Sequence, residues 1–211
     1  SGTTASSTVR IGAVGDDFLA YINGGYRLRI DSNGHMGLGV TPSAWATNGD
    51  FRGLQVGTGA ALFGRGSGDE DRGGISVNYY HTGSAEKYIG NGHAARIYLA
   101  DGNIDFSNAS ANSSGANAAM TLNHRLRITS DGKIGINATS PVGYLHVQAP
   151  TDDNPAIILY RTSGGGDVGS LAWRTSQGTN AYINWRGGGT AKGMQFYTST
   201  NGNDGTTVER F

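Results

Sequence analysis

The chain has 211 residues, 36 of them Gly, four Pro, no Cys, and a formal net charge of zero. Gly at about 17%, against a usual ~7%, without a Gly-X-Y period excludes a collagen helix, and the scarcity of Pro excludes a Pro-rich linker. Zero net charge without a basic run argues against nucleic acid as a partner, the lack of Cys removes disulfides and thiolate chemistry, and no apolar run reaches the ~20 residues of a membrane helix.

In chain order, the first strong element is "RLRIDSNGHMGLGV" at 27–40, two short strands around a turn. It closes a first piece, 1–48. A second piece, 49–143, carries short alternating runs, among them "GISVNYYH" with Tyr79, Tyr80 and His81 in succession. "SNASANSSGANAAM" at 107–120 reads as a loop, because Asn, Ser and Gly crowd it. The piece ends in "RLRITSDGKIGIN" at 125–137, which repeats the first hairpin 98 positions downstream: Arg29 matches Arg127 and Gly34 matches Gly132. The third piece, 144–211, holds "GSLAWRT" and "NAYINWR" and stops at "TTVERF", where Arg210 and Phe211 match the hairpin start. The natural chain is therefore expected to continue with the rest of that hairpin. The second and third pieces read as copies of one β module, and repetition at this period means an array.

The hairpin register follows from its apolar residues. A two-residue loop would mix Arg with apolar side chains on both faces. A three-residue loop ending in Gly132 pairs Ile128 with Ile134 and Leu126 with Ile136, and sets Arg127 opposite Gly135. All apolar residues then share one face, and Gly132 takes the left-handed conformation of a bulged turn. Gly34 does the same in the first copy. Arg29 and Arg127 are expected to lie over a Gly without a side chain and to reach a carbonyl or carboxylate of a neighbouring chain.

"RLRITSDGKIGINATSPVGYLHV" resembles a motif that recurs in bacteriophage tail fibres and tailspikes, where "R-[ML]-R-I" precedes "DGNVGIGT-SP" and "LHV", often upstream of an endosialidase-type intramolecular chaperone. The likeness covers 125–147, more weakly 27–45, and the tail 206–211; the first copy departs after Val40, with "TPSAW" in place of the family's run to "LHV". The resemblance implies an all-β, elongated, Gly-rich fold of repeated β-hairpin modules in a fibrous homotrimer. It implies a structural and receptor-binding segment of a tail fibre that mediates attachment to the host surface. Its partners would be copies of itself, other tail proteins and a host cell-surface glycan or protein; its place is the virion, after assembly in the host cytoplasm. The alternatives are a glycan-cleaving tailspike and a cellular surface adhesin or filament subunit.

Paired acids would mark a glycan-cleaving enzyme. The candidates Asp16-Asp17, Asp69-Glu70-Asp71, Asp101 with Asp105, and Asp152-Asp153 all sit among turn residues, and no catalytic residue is assigned. The five His, at 35, 81, 93, 124 and 146, lack ligand spacing, so neither metal nor cofactor is expected. Receptor contact is expected from aromatic residues, with Tyr79, Tyr80, His81, Trp173 and Trp185 as candidates, the alternative for Trp173 and Trp185 being that they fill the module core. At least one of the successive Tyr79, Tyr80 and His81 is expected to point outward.

Overall fold

The computed structural model describes residues 9–48, 51–66, 68, 70–149 and 157, together with the strand segments 167–175, 178–186, 193–199 and 207–209. The described residues are all-β, with no α-helix among them. The chain divides into two compact units, Ser1–Asn154 and Pro155–Phe211. The expected boundaries at 48 and 143 fall inside the first unit, where strands on either side of each boundary are hydrogen-bonded to one another.

The first unit is built on one sheet of twelve strands, laid down almost in sequence order. Its strands are β1 (Val9–Val14), β2 (Asp17–Ile22), β3 (Gly25–Ile30), β4 (Met36–Leu38), β5 (Arg52–Val56), β6 (Ala60–Gly64), β7 (Gly73–Val77), β10 (Gly92–Ala100), β11 (Asn103–Asn112), β12 (Asn123–Ile128), β13 (Ile134–Ile136) and β14 (Leu145–Val147). Two short strands, β8 (Tyr80–His81) and β9 (Glu86–Lys87), form a separate ribbon. Neighbours in the large sheet pair antiparallel except at two joints, β4 with β5 and β13 with β14, which are parallel. The second unit contains β15 (Asp167–Thr175), β16 (Gly178–Arg186), β17 (Gly193–Ser199) and β18 (Thr207–Glu209), all antiparallel.

Both hairpins have the expected register. Ile128 pairs with Ile134, Arg127 with Gly135 and Leu126 with Ile136; Ile30 pairs with Met36, Arg29 with Gly37 and Leu28 with Leu38. Gly34 and Gly132 have φ of 80° and 83°, the left-handed geometry that Gly adopts at no steric cost. The parallel joints follow directly. Gly39 and Asn137, 98 positions apart, are both left-handed (φ 71° and 56°) and lead the chain out of the sheet. It crosses one face and returns as β5 or β14. A return of only eight residues, 137–144, suffices because β13 is three residues long, about 10 Å. The first crossover, 39–51, is longer and ends at "LQV", Leu54–Val56, the structural counterpart of "LHV", Leu145–Val147. The first copy therefore keeps the motif that its "TPSAW" insertion hides.

The crossovers cover one face of the sheet. Trp45, Phe51, Phe63, Tyr79 and Tyr80 form the core there, with Ile89, Tyr98, Met120 and Leu122 packed around them. The segment 107–120 is strand up to Asn112, not loop throughout, because β11 extends along its long partner β10 and buries Ser107 and Ala109. Residues beyond Asn112 then return over the core, where Met120 donates its backbone N–H to the Glu86 carbonyl.

Candidate functional site

Two regions of the first unit carry chemistry that its own folding does not use up. They lie on opposite faces of the large sheet.

The face away from the crossovers is apolar across eleven strands. Register links Phe18, Ile30, Met36, Leu54, Leu62, Ile75, Ile97, Phe106, Leu126, Ile136 and Val147 into one cross-strand row. A flanking row runs through Leu28, Leu38, Val56, Ala60 and Val77. Leu62, Ile75 and Val77 are each more than half exposed, and the middle of the face is hollowed by about 690 Å³. The second unit repeats the pattern: Leu171 pairs with Ile183 and Ile183 with Phe196, and both Leu171 and Phe196 are exposed.

The covered face holds the Arg residues of the repeated hairpin, and here two expectations are corrected. Arg127 directs its donors to groups of its own chain. Its Nε and NH2 donate to Asp105 on the adjacent strand at 2.6 and 2.7 Å, and its NH1 donates to the Thr139 carbonyl. Asp105 is buried, and this pairing raises the Arg127 pKa further above its already high ordinary value. Arg29 makes the equivalent pair with Asp17 and donates to Thr41, 98 positions before Thr139. Nor does the Arg stem fill the space over the glycine. The crossover carbonyl fills it: a Cβ on Gly135 would stand 2.2 Å from the Ala138 oxygen, and one on Gly37 2.1 Å from the Val40 oxygen. Asp17 and Asp105, candidates for paired acids in the sequence, are thus structural partners of Arg.

The aromatic candidates Tyr79 and Tyr80 are also corrected. Both are buried, at 1% and 2% exposure, and neither points outward. The cause is Asn78. Its φ of 54° ends β7, and its side chain binds the next turn, accepting from Gly90 N–H at 2.7 Å and donating toward the Asn91, Gly92 and His93 carbonyls. The chain lifts off the sheet and runs between it and the 113–122 segment, so successive side chains both find cover. Tyr79 packs on Trp45 and Phe63, and Tyr80 donates its hydroxyl to Asn117. His81 is only partly buried. Trp173 lies opposite Ala181, and Trp185 opposite Gly169 and Met194, in the second unit's strands; their side chains fall outside the described residues.

Tyr79 and His81 do meet at a cavity of about 190 Å³, lined by Asn48, Phe51, Phe63, Arg65, Tyr79, His81, Gly83, Glu86, Arg96 and Tyr98. Arg96 is its centre. The guanidinium lies over the rings of Tyr98 and Tyr79, 4.6 and 5.1 Å from their centroids. Its NH1 donates to the Tyr79 hydroxyl at 2.8 Å and to Glu86 Oε1 at 3.0 Å. Arg96 Nε and Glu86 Oε2 are buried and have no protein partner. Burial lowers the His81 pKa, opposed by Glu86 and assisted by Arg96 and Arg65. The ring is neutral near pH 7, and its Nδ1 accepts from Gly83 N–H at 3.0 Å. Sequence reading missed Glu86, Arg96 and Tyr98; only the Arg-x-Tyr alternation of β10 hinted that the last two share a face.

Among the described residues no group of three or more His, Asp or Glu is placed to hold a metal ion. No protein-family model matches the chain, and no curated protein matches it.

Proposed function

We propose that this chain is a structural, receptor-binding segment of an elongated homotrimeric fibre of the bacteriophage tail-fibre kind. The observation that carries the reading is the apolar row, which the described crossovers of the first unit leave uncovered. At about 4.8 Å per strand it runs for roughly 50 Å, and two rows side by side give on the order of 600 Å² in projection, a size at which a patch is ordinarily an interface. Identical faces of neighbouring copies are its natural cover, because every copy brings the same row in the same register. The repeated hairpin supports the same reading. It resembles the tail-fibre motif, and its Arg–Asp pairs hold each crossover on the other face, leaving the apolar side free of the described crossovers. Attachment to a host then falls to the crossover face, which assembly leaves outward.

Light scattering on the purified chain tests the assembly. The expected mass is three times 21.9 kDa, stable on dilution; a stable monomer would overturn the reading. Replacing Tyr79 or Tyr80 by Ala is no test of receptor contact, because both belong to the core.

A further inference from the structure

We infer that the outer edge of β1 is a strand-binding site, whose partner is one antiparallel strand of the β7 kind contributed by another repeat of this architecture. The inference stands on the internal repetition of the structure and is independent of how many chains assemble.

The repetition extends past the hairpins. β1, β2 and β3 pair as β10, β11 and β12 do: Ile11 faces Ala20 and Ala20 faces Leu28, as Ile97 faces Phe106 and Phe106 faces Leu126. Both sets carry a bulge at the same place, after Ala20 in one and after Phe106 in the other. The second unit repeats the pairing, with Ile183 facing Phe196. Ile11, Ile97 and Ile183 are therefore equivalent, and each stands 86 positions from the next. Two of the three have a neighbour on their other side. Ile97 faces Ile75 of β7, and Ile183 faces Leu171 of β15. Those two neighbours share a pattern, "GGISV" at 73–77 and "GSLAW" at 169–173: Gly first, larger apolar residues third and fifth, small residues between. Among the described residues no strand pairs with the same side of Ile11.

Exposure follows from this. Ile11 is 71% exposed, whereas Ile97 is half-buried. A hollow of about 430 Å³ lies along β1, with Arg10, Leu19, Tyr21 and Tyr26 in its wall. In the complete set, Arg96 and Tyr98 take the places of Arg10 and Gly12, and they are covered by Tyr79, just after β7, and by Phe63 of β6. Nor is the edge guarded. Sheet edges are ordinarily blunted by Pro, by bulges or by shortness. β1 is six residues long, contains no Pro and pairs with β2 without a break in register. β14, at the opposite edge, has three residues. A segment that adds to such an edge gains main-chain hydrogen bonds along its length, while its alternate side chains set which segment fits. The complete sets fix the register: the Ile75 position of the incoming strand stands opposite Ile11, the Val77 position opposite Val9 and the Gly73 position opposite Ala13. Its larger apolar side chains then join the apolar face of the sheet.

The test uses the full chain in whatever oligomeric state it holds, with a peptide of the Arg72–Asn78 sequence, RGGISVN, as the probe. Hydrogen exchange read by mass spectrometry is expected to slow at least fivefold across Val9–Val14 at millimolar peptide and to stay unchanged at β14. The same peptide carrying Ile75→Asp should leave exchange unchanged throughout. The chain has no Cys, so single cysteines report register. With Ile75→Cys in the peptide and Ile11→Cys in the chain, a mixed disulfide should form in glutathione buffer at least tenfold faster than with Leu145→Cys at the opposite edge, because opposed residues of paired strands lie within disulfide reach. Variants are compared only where circular dichroism matches the parent. Should Ile11→Cys misfold, Val9→Cys with Val77→Cys in the peptide reads the same register. Unchanged exchange across β1, or equal disulfide rates at the two edges, would overturn the inference.

Discussion

Arg127 and Gly135 stand opposite one another on neighbouring strands and fail in different ways when changed. Arg127→Met leaves Asp105, at 5% side-chain exposure, as a buried charge without its partner. The expected loss is about 2–3 kcal/mol in urea unfolding, below the ~3–5 kcal/mol of a fully buried pair because the Arg127 side chain is 25% exposed. Arg29→Met should cost less, because Asp17 is more exposed, at 13%. Gly135→Ala drives a methyl into a backbone carbonyl that cannot swing aside, for about 2–3 kcal/mol. Gly132→Val has open space around it but forces a β-branched residue into left-handed φ, for roughly 1–2 kcal/mol. Finding Gly132→Val the costlier glycine change would reject this division. His35 gives a pH handle. It is buried at 1% exposure, and burial, aided by Arg52 and opposed by Asp31, lowers its pKa below the ordinary 6.5. The unfolded chain therefore takes up the proton first as pH falls. Stability from His35 is complete above about 6.5 and is lost as pH drops through the lowered folded value. His81 acts in the same direction. The urea midpoint should fall between pH 7 and 5, and His35→Asn, which keeps an acceptor for Gly53 N–H, should flatten part of that slope.

At the scale of elements, the strands were legible and the crossovers were not. The register of both hairpins followed from requiring Leu126, Ile128, Ile134 and Ile136 to share a face, and one slip would have reversed them all. The period-two pattern says nothing about where a chain goes once it leaves a sheet. That is why the partners of Arg127, the burial of Tyr80, and "LQV" as the echo of "LHV" were out of reach: each depends on a left-handed residue, Asn137, Asn78 or Gly39, that redirects the backbone. The aromatic cavity was half legible. Tyr79 and His81 stood out as a bulky run, but Glu86 and Arg96 come from β9 and β10, and only the excursion of the chain after Asn78 brings them together. The exposed rows yield a prediction at this scale. Ile75→Glu puts a charge at a site 51% exposed in the single chain, so circular dichroism should stay unchanged. In an assembly the same charge would be buried against its copies, and light scattering should show monomer. A variant that remains assembled would move the interface away from this face.

For the whole molecule, the two faces of the sheet divide the work. One face is closed by the chain's own crossovers and carries the core, the Arg–Asp pairs and the cavity. The other carries the apolar rows on which the proposed assembly rests. A single mutation therefore reports on the fold or on the proposed assembly according to the face it touches.

The parallel joint has a consequence for how such a chain grows. Each joint is built from its own hairpin, one Arg, one Asp on the preceding strand and a crossover carbonyl, and it delivers the chain to the next position in the sheet pointing the same way as before. Nothing in it depends on how many strands lie on either side. A tandem duplication in the gene, cut at corresponding points of two hairpins, would insert a complete set of strands with both seams already satisfied. Length in this architecture becomes heritable in whole modules, and natural relatives should differ by roughly one repeat interval at a time.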